Sequence, residues 1–209
     1  MREAYLKVLQ ITAFLSFPIA GLIFVLAPDF TKIFLGEKWM PMVPAMQVLG
    51  LWGLIRSIGA TTGPIFQGVG KPGIATKLQF VQLVLLAILI YPLSIRWGIL
   101  GTSLAVVFAV LTANLVSSYM VIKVTKCDVW NFCKMIALPL INIIIIILLI
   151  IVIKMYWINS FKLTDFVLFT VLTVFAYLGI TYLFDKFFNY GMLPVIKENM
   201  LSFRKAIKI

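Results

Sequence analysis

One arginine lies within a long apolar stretch, and its position limits the chemistry available to this chain. Residues 43–69 are mostly apolar, and Arg56 lies at their centre. At about 1.5 Å of rise per residue, an unbroken helix would put Arg56 roughly 20 Å from either end. A guanidinium at that depth must face protein or a wet cavity, because exposure to lipid costs about 3 kcal/mol or more. Since arginine holds phosphate by paired hydrogen bonds, this residue favours a transporter of something anionic. The alternative is a structural role in which Arg56 donates to backbone carbonyls.

Other polar and small residues recur within the apolar stretches at helical spacing. Glycines at positions 59 and 63 fall on the face of Arg56, where they allow either close helix packing or room for a ligand. The candidate substrate-binding residues are Arg56, Gln67, Gln79, Gln82 and Asn114. The candidate hinge and packing residues are Pro18, Gly59, Gly63, Pro64 and Pro92. For Asn114, a hydrogen bond between helices is an equally good interpretation.

These residues need membrane-spanning helices to position them. Hydrophobic residues make up 63% of the 209 positions and charged residues 12%, with a mean hydropathy of +1.11. No soluble domain of this size could bury so much apolar surface. Stretches of about 20 apolar residues predict six spanning helices. Their predicted ranges are residues 8–27, 43–69, 74–95, 99–122, 135–153 and 166–184. The expected fold is an all-α bundle.

The charges between these stretches predict an orientation. Twelve of the 18 lysines and arginines lie on the side of the two termini, and five lie on the opposite side, with Arg56 between them. The positive-inside rule therefore predicts that both termini are cytoplasmic. Residues 186–209 combine apolar residues at helical spacing with lysines and an arginine, which predicts an amphipathic helix on anionic membrane lipids. The basic residues behind the net charge of +11 are explained by membrane orientation and by contact with lipid headgroups. Binding to nucleic acid is not needed to explain them.

Several chemistries lack the residues they require. The chain has no histidine, and its seven acidic residues fall near the predicted helix ends or in the connections, so neither a metal site nor general acid/base catalysis is expected. No nucleotide-binding or hydrolase motif occurs, and no cofactor is expected. Cys127 and Cys133 share one predicted cytoplasmic loop, where reduced thiols are the expectation. The sequence does not indicate an enzyme.

Three sequence blocks resemble a known family. They are LSFPIAGLIFVLAPDFTKIFLGEKW at residues 15–39, LGLWGLIRSIGATTGPIFQGVGKPG at residues 49–73, and RWGILGTSLAVVFA at residues 96–109. Their order is similar to that in the C-terminal lobe of O-antigen-type polysaccharide flippases. Those flippases belong to the multidrug/oligosaccharidyl-lipid/polysaccharide exporter superfamily.

The resemblance implies a substrate and a division of the chain. The implied substrate is an oligosaccharide linked to polyprenyl pyrophosphate, moved across the cytoplasmic membrane, with Arg56 as a plausible pyrophosphate contact. Residues 1–122 would form a four-helix portion of the lobe, residues 123–185 two additional helices, and residues 186–209 the basic tail. An N-terminal lobe is absent from this sequence, so the missing lobe or a second subunit is an expected partner. The alternatives are a non-transporting scaffold of a glycan-assembly complex and a related multidrug-type exporter; the central arginine disfavours the exporter, because it would repel cationic drugs.

Overall fold

The computed structural model describes residues 2–125, 127–157 and 163–188, together with Gly191 and Pro194. These residues are almost entirely helical and contain no strand, as the sequence predicts. The six α-helices are α1 (Arg2–Phe30), α2 (Val43–Ala60), α3 (Thr62–Gly68), α4 (Pro72–Thr125), α5 (Val129–Trp157) and α6 (Leu163–Phe188). The predicted amphipathic helix at residues 186–209 lies almost wholly outside the described residues.

The end of α1 is shaped by a proline. Pro28 has no amide hydrogen to donate to the Phe24 carbonyl, and the Gln47 side chain of α2 donates to that carbonyl instead, at 2.8 Å. Beyond α1 the chain forms a π-helix (Thr31–Leu35) and a 3₁₀ helix (Glu37–Met42) before α2 begins. The α1–α2 connection, residues 31–42, is therefore ordered by short helices.

The predicted helix over residues 43–69 is interrupted. α2 ends at Ala60, a turn follows at Thr61, and α3 begins at Thr62. Pro64 accounts for this break, because it cannot donate to the Ala60 carbonyl and its ring disfavours a continuous helix there. By contrast, α1 runs through Pro18, and α4 runs through Pro92, as continuous helix. Among the three predicted proline hinges, only Pro64 coincides with a break.

The 54-residue helix α4 is folded back on itself. Gly98 has φ 55° and ψ −129°, outside the helical range and in a region that favours glycine. Just beyond this turn the chain approaches itself so closely that a side chain at Gly101 would overlap the Leu93 carbonyl. Further away, Gln82 on one arm and Asn114 on the other line the same cavity. Residues 72–97 and 99–125 are therefore two antiparallel arms, which correspond to the predicted third and fourth helices.

The helices pack as a row with α1 near its middle. α1 contacts α2 on one side and α5 and α6 on the other, while α2 and α3 contact α4. The larger core joins α1, α5 and α6 through Phe17, Ile146 and Phe169. A second cluster joins Tyr5, Phe66, Val121 and Phe132. That second cluster gathers helix ends that the charge pattern assigns to one side of the membrane.

Five helical stretches of the described chain are long and apolar enough to cross a bilayer: Arg2–Leu35, Glu37–Gly68, Pro72–Thr125, Val129–Lys154 and Leu163–Phe187. The third of these contains both arms of α4, and at about 1.5 Å per residue its length is far beyond the ~30 Å hydrocarbon core. The chain is thus a multi-pass membrane protein. The number of crossings and the side of the termini stay predictions.

Candidate functional site

A polar cavity of about 270 Å³ lies between α2, α3 and the two arms of α4. α2 and α3 contribute one wall, and each arm of α4 contributes another. The structure brings most of the candidate residues from the sequence together here. The polar groups that line it are Arg56, Thr62, Gln79, Gln82, Asn114 and Ser117. Two glycines, Gly59 and Gly63, line it as well.

Arg56 is the cation of this cavity. It lies on α2, one turn before Gly59, and its side chain is exposed in the isolated chain. It makes no hydrogen bond or ion pair with any other residue that the structure describes. A structural arginine bonded to carbonyls would show such contacts, so the geometry favours the cavity interpretation over the structural one. The guanidinium therefore presents up to five donors to whatever occupies the cavity.

Gln79 and Gln82 face Arg56 from the first arm of α4. They are three residues apart, so they lie on one side of the helix, together with Ala75 and Leu78. Neither glutamine makes a side-chain hydrogen bond within the described chain. Each carboxamide offers two donors and one acceptor, so this wall can bind hydroxyl groups as well as anionic oxygens.

Asn114 is already engaged with α2. Its Nδ2 donates to the Ile55 carbonyl at 3.0 Å. A Cβ added at Gly59 would lie 2.7 Å from the Asn114 Cγ and would overlap the carboxamide oxygen. Gly59 thus provides the groove into which Asn114 inserts. This contact makes Asn114 a residue that sets the spacing of α2 and α4, as well as part of the cavity wall.

Gly63 differs from Gly59, although both occupy the same predicted face. A Cβ added at Gly63 would meet nothing within 4 Å. The two glycines therefore differ in the packing around them. Gly59 permits close helix packing, and Gly63 leaves space in the cavity.

A short chain of hydroxyl groups closes the cavity near the helix break. Ser117 Oγ donates to Thr62 Oγ1 at 2.8 Å, and Thr62 Oγ1 donates to the Gly59 carbonyl at 2.7 Å. Ser117 and Thr62 are both buried. They tie the second arm of α4 to the point where α2 passes into α3. Thr62 is a cavity residue that the sequence reasoning missed, because a threonine in an apolar stretch is not by itself a signal for a binding site.

The structure does not bring Gln67 into this cavity. Its side chain is exposed, and the neighbouring Phe66, which is buried, lines the cavity instead. The break at Thr61 explains the difference, because the spacing from Arg56 to Gln67 places them on one face only in a continuous helix. Lys77, on the first arm of α4, is exposed and does not line the cavity either.

A second polar contact, between α1 and α5, was not predicted. Lys154 Nζ donates to Asp29 Oδ2 and lies 3.4 Å from the Val25 carbonyl, and both charged side chains are mostly buried. A cavity of about 310 Å³ adjoins the pair and is lined by Phe24, Val25, Gln47, Ile151 and Lys154. Since its cation is paired within the fold, this second cavity presents little net charge.

The chemistry of the polar cavity follows from its groups. It holds one cation, three carboxamides and two hydroxyls, and no carboxylate is among its lining residues in the described chain. No cluster of three or more potential metal-binding side chains occurs among the described residues. This arrangement suits recognition of an anion that also carries hydroxyl groups.

Comparisons with known proteins agree with the resemblance in the sequence. Residues 1–44 match the family described as "Polysaccharide biosynthesis protein". The chain is 24% identical over 170 residues to an "Uncharacterized membrane protein in cps region" of Klebsiella pneumoniae, covering 80% of this chain and 35% of that protein. It is 24% identical over 123 residues to the "Lipopolysaccharide biosynthesis protein WzxC" of Escherichia coli, covering 59% of this chain and 25% of that protein.

A third relative is the "Teichuronic acid biosynthesis protein TuaB" of Bacillus subtilis, 33% identical over 76 residues, covering 36% of this chain and 16% of that protein. No solved structure matches the chain significantly. The chain spans about a third or less of the length of these relatives. The predicted resemblance is confirmed as a likeness to membrane proteins of polysaccharide biosynthesis.

Proposed function

We propose that this relative of polysaccharide-biosynthesis membrane proteins is part of a transporter that moves an oligosaccharide linked to polyprenyl pyrophosphate across the cytoplasmic membrane. In this proposal the transported molecule serves the synthesis of cell-surface polysaccharide, and Arg56 contacts its pyrophosphate. The observation that carries the proposal is the guanidinium of Arg56, which lines a cavity between membrane helices and has no ion-pair partner among the described residues. The names of the relatives, which refer to lipopolysaccharide and teichuronic acid biosynthesis, support the choice of substrate class.

The electrostatics of the cavity support an anionic ligand. A cation inside a membrane protein is stabilised by a counter-charge or by water, and the lining residues provide no counter-charge. A phosphate group meets this need through charge-assisted, two-pronged hydrogen bonds to the guanidinium. Cationic drugs would be repelled, so the cavity disfavours a multidrug-type exporter.

The remaining polar groups suit the sugar part of such a molecule. The carboxamides of Gln79 and Gln82, which make no hydrogen bond within the described part of the chain, can donate to and accept from hydroxyl groups. Asn114 already donates one hydrogen bond from Nδ2 to the Ile55 carbonyl, so its main role in this proposal is to set the shape of the cavity. Its other amide hydrogen and its carbonyl oxygen can still bind the ligand. The bound molecule would then touch α2 through its phosphate and α4 through its sugar.

The membrane arrangement in this proposal has six crossings, with each arm of α4 crossing once. Both termini are cytoplasmic, and the cavity lies in the cytoplasmic half of the bundle, near the end at which α3 stops and α4 begins. The chain spans a third or less of its relatives, so we assign the remaining walls of the transport pathway to a further lobe or a second subunit.

The test is an alanine substitution of Arg56 in a complete transporter that contains this region. Arg56→Ala should abolish or strongly reduce glycan export and leave the amount of protein in the membrane near normal, because no hydrogen bond or ion pair of the described fold is lost. Arg56→Lys should restore export only in part, since an ammonium keeps the charge but not the planar two-pronged geometry. Lys77→Ala is the matched control, because Lys77 is a nearby exposed cation outside the cavity.

Each outcome has a distinct meaning. Loss of export together with loss of protein would assign Arg56 a structural role, which is what a scaffold protein predicts. Normal export by Arg56→Ala at normal abundance would remove the residue from the mechanism. An equal loss of export in Lys77→Ala would show that general basic charge matters and that the cavity does not.

A further inference from the structure

The α1–α2 connection, residues 31–42, carries an unusual number of exposed apolar side chains. The exposed fractions are 54% for Phe34, 43% for Leu35 and 53% for Trp39. A connection that projects into water rarely exposes so much apolar surface in one place. Two exposed lysines, Lys32 and Lys38, lie among these residues.

The backbone of this connection is hydrogen-bonded internally. The Gly36 amide donates to the Thr31 carbonyl at 2.9 Å, and the Trp39 amide donates to the Gly36 carbonyl at 3.1 Å. Short helices of this kind reduce the number of backbone groups that need water. The connection can therefore lie where water is scarce.

Contacts to the bundle fix which side of the connection is exposed. Thr31 is fully buried, and its Oγ1 lies 3.6 Å from Met46 Sδ on α2. Phe34 belongs to a ring cluster with Phe30 and Phe166, with centroid distances of 5.0 and 5.8 Å from Phe34. Because α2 and α6 hold the connection from within the bundle, its exposed apolar side chains face outward.

We propose that residues 31–42 lie in the headgroup region of the bilayer, with Phe34, Leu35 and Trp39 reaching the boundary of the acyl chains. The partner is the lipid surface itself, because the connection continues the apolar surface of two spanning helices. Tryptophan is enriched at this level of the membrane, and lysines there extend their ammonium groups toward water. The connection is thus an anchor that fixes the depth of α1 and α2.

Charge contributes little to this anchor. Lys32 lies 3.5 Å from Glu37, so the pair is close to neutral and Lys38 supplies the remaining positive charge. Attraction to anionic lipids is therefore weak, and burial of the apolar side chains provides the binding. Neutral and anionic membranes should bind the anchor alike.

The anchor places the polar cavity within the membrane. Arg56 follows the start of α2 by 13 residues, which is about 20 Å along the helix. The hydrocarbon core is about 30 Å thick, so an interfacial connection puts Arg56 roughly 5 Å beyond the midplane, in the opposite half of the bilayer. The cavity then opens nearer to the leaflet at which α3 ends.

Spin-label accessibility tests this placement on the full chain reconstituted into vesicles. Cys127 and Cys133 are first replaced by serine, and single cysteines are introduced by Phe34→Cys, Leu35→Cys, Trp39→Cys and, as the control, Glu37→Cys. Labels at positions 34, 35 and 39 should collide more with oxygen than with a water-soluble nickel complex, and the label at position 37 should show the reverse. The same pattern should appear in phosphatidylcholine and in phosphatidylglycerol vesicles.

Three results would overturn the proposal. Higher collision with the nickel complex at positions 34, 35 and 39 would make the connection an aqueous loop. Low collision with both reagents would show that protein covers it, for example a second copy of the chain. A pattern seen only in anionic vesicles would assign the contact to charge.

Quenching by brominated lipids measures the same depth without cysteine variants, and it guards against a variant that fails to fold. The tryptophan emission lost in Trp39→Phe should be quenched most by lipids brominated near the headgroup. Strongest quenching by deeply brominated lipids, or none, would contradict an interfacial position. Both readouts are independent of transport, so their failure would leave the proposed role of Arg56 standing.

Discussion

Two polar regions within the apolar bundle are built in opposite ways. On the side of α1, α5 and α6, the polar groups are joined to each other: Lys154 pairs with Asp29, and Asn142 Nδ2 donates to Thr181 Oγ1 at 2.9 Å. On the side of α2 and α4, the guanidinium of Arg56 and the carboxamide of Gln79 make no such contacts within the described residues. In the first region the described protein supplies the partners of these polar groups. In the second region the polar groups are available to a ligand.

The difference separates residues that hold the fold from residues that are available to a ligand. A polar group within a membrane needs a partner, because lipid supplies none. Where the protein supplies the partner, removing the group should lower stability. Where the protein does not, removing the group should spare stability and affect binding. The following substitutions test this distinction, starting with the largest expected effect.

Lys154→Met should cause the largest loss of stability. It leaves the Asp29 carboxylate, which is 16% exposed and held on α1 near its end, without its partner cation. Breaking a buried pair from one side costs about 3–5 kcal/mol, and partial exposure should bring the loss toward the lower figure. The measurement is the temperature at which half of the detergent-solubilised chain loses its monodisperse peak in size-exclusion chromatography.

Arg56→Met is the matched control, because it makes the same change in the open cavity. It should leave the melting temperature close to that of the parent chain. The double variant Asp29→Asn with Lys154→Met should recover most of the stability lost in Lys154→Met, since the unpaired charge is gone. Equal losses for Lys154→Met and Arg56→Met would erase the distinction between the two regions.

The spanning helices were predictable from the sequence, because length and hydropathy determine them. Five of the six predicted stretches fall within a helix whose ends extend a few residues further, as α1 does from Arg2 to Phe30. The stretch over residues 43–69 is instead divided between α2 and α3. The two antiparallel arms of α4 also match two predicted helices. Their continuity through a single turn at Gly98 was not predictable, since it depends on one backbone conformation.

The membership of the polar cavity was predictable only in part. Helical spacing correctly placed Arg56, Gly59 and Gly63 on one wall, but it failed at Gln67 because the helix breaks at Thr61. Pro64 could have predicted that break, because proline disfavours a continuous helix. Gln79 and Asn114 line the same cavity as Arg56 because of the way α2 packs against the two arms of α4. The residue spacing within a single helix does not predict that packing.

The Asp29–Lys154 pair was not predictable at all. The two residues are 125 positions apart and lie at helix ends, where charges normally serve topology. Their pairing follows from the packing of α5 on α1. Sequence reasoning therefore identified Arg56, Gln79 and Gln82 as polar residues of the cavity and missed the ion pair between Asp29 and Lys154.

Gly59→Ala should have an intermediate effect on stability. The added methyl group would overlap the Asn114 carboxamide and force it away from the Ile55 carbonyl. Overpacking of this kind costs about 1–3 kcal/mol, which should appear as a lower melting temperature in the same chromatographic assay.

Gly63→Ala sharpens this result, because the same methyl group there meets nothing within 4 Å. It should leave stability unchanged or slightly raised, and it should reduce the space in the polar cavity. Asn114→Ala should relieve the overlap in the Gly59→Ala background. If Gly63→Ala were as destabilising as Gly59→Ala, the close contact of α2 and α4 would not be confined to Asn114.

Asn142→Leu should lower stability less than Gly59→Ala does, although Asn142 is among the most buried polar residues described. Its Nδ2 donates to Thr181 Oγ1 and to the Tyr177 carbonyl, but its Oδ1 has no hydrogen-bond partner among the residues that the structure describes. Hydrogen bonds between membrane helices average about 0.6 kcal/mol, and leucine also removes the unpaired oxygen, so the two terms nearly cancel.

Thr181→Val tests this cancellation, because it removes one partner and leaves the Asn142 amide with the Tyr177 carbonyl alone. It should lower the melting temperature more than Asn142→Leu does, since a buried donor left short of partners costs more than an absent one. In the Asn142→Leu background the same substitution should be nearly neutral. A large loss from Asn142→Leu alone would mean that this amide locks α5 to α6, and the closed region would then depend on hydrogen bonds as much as on its ion pair.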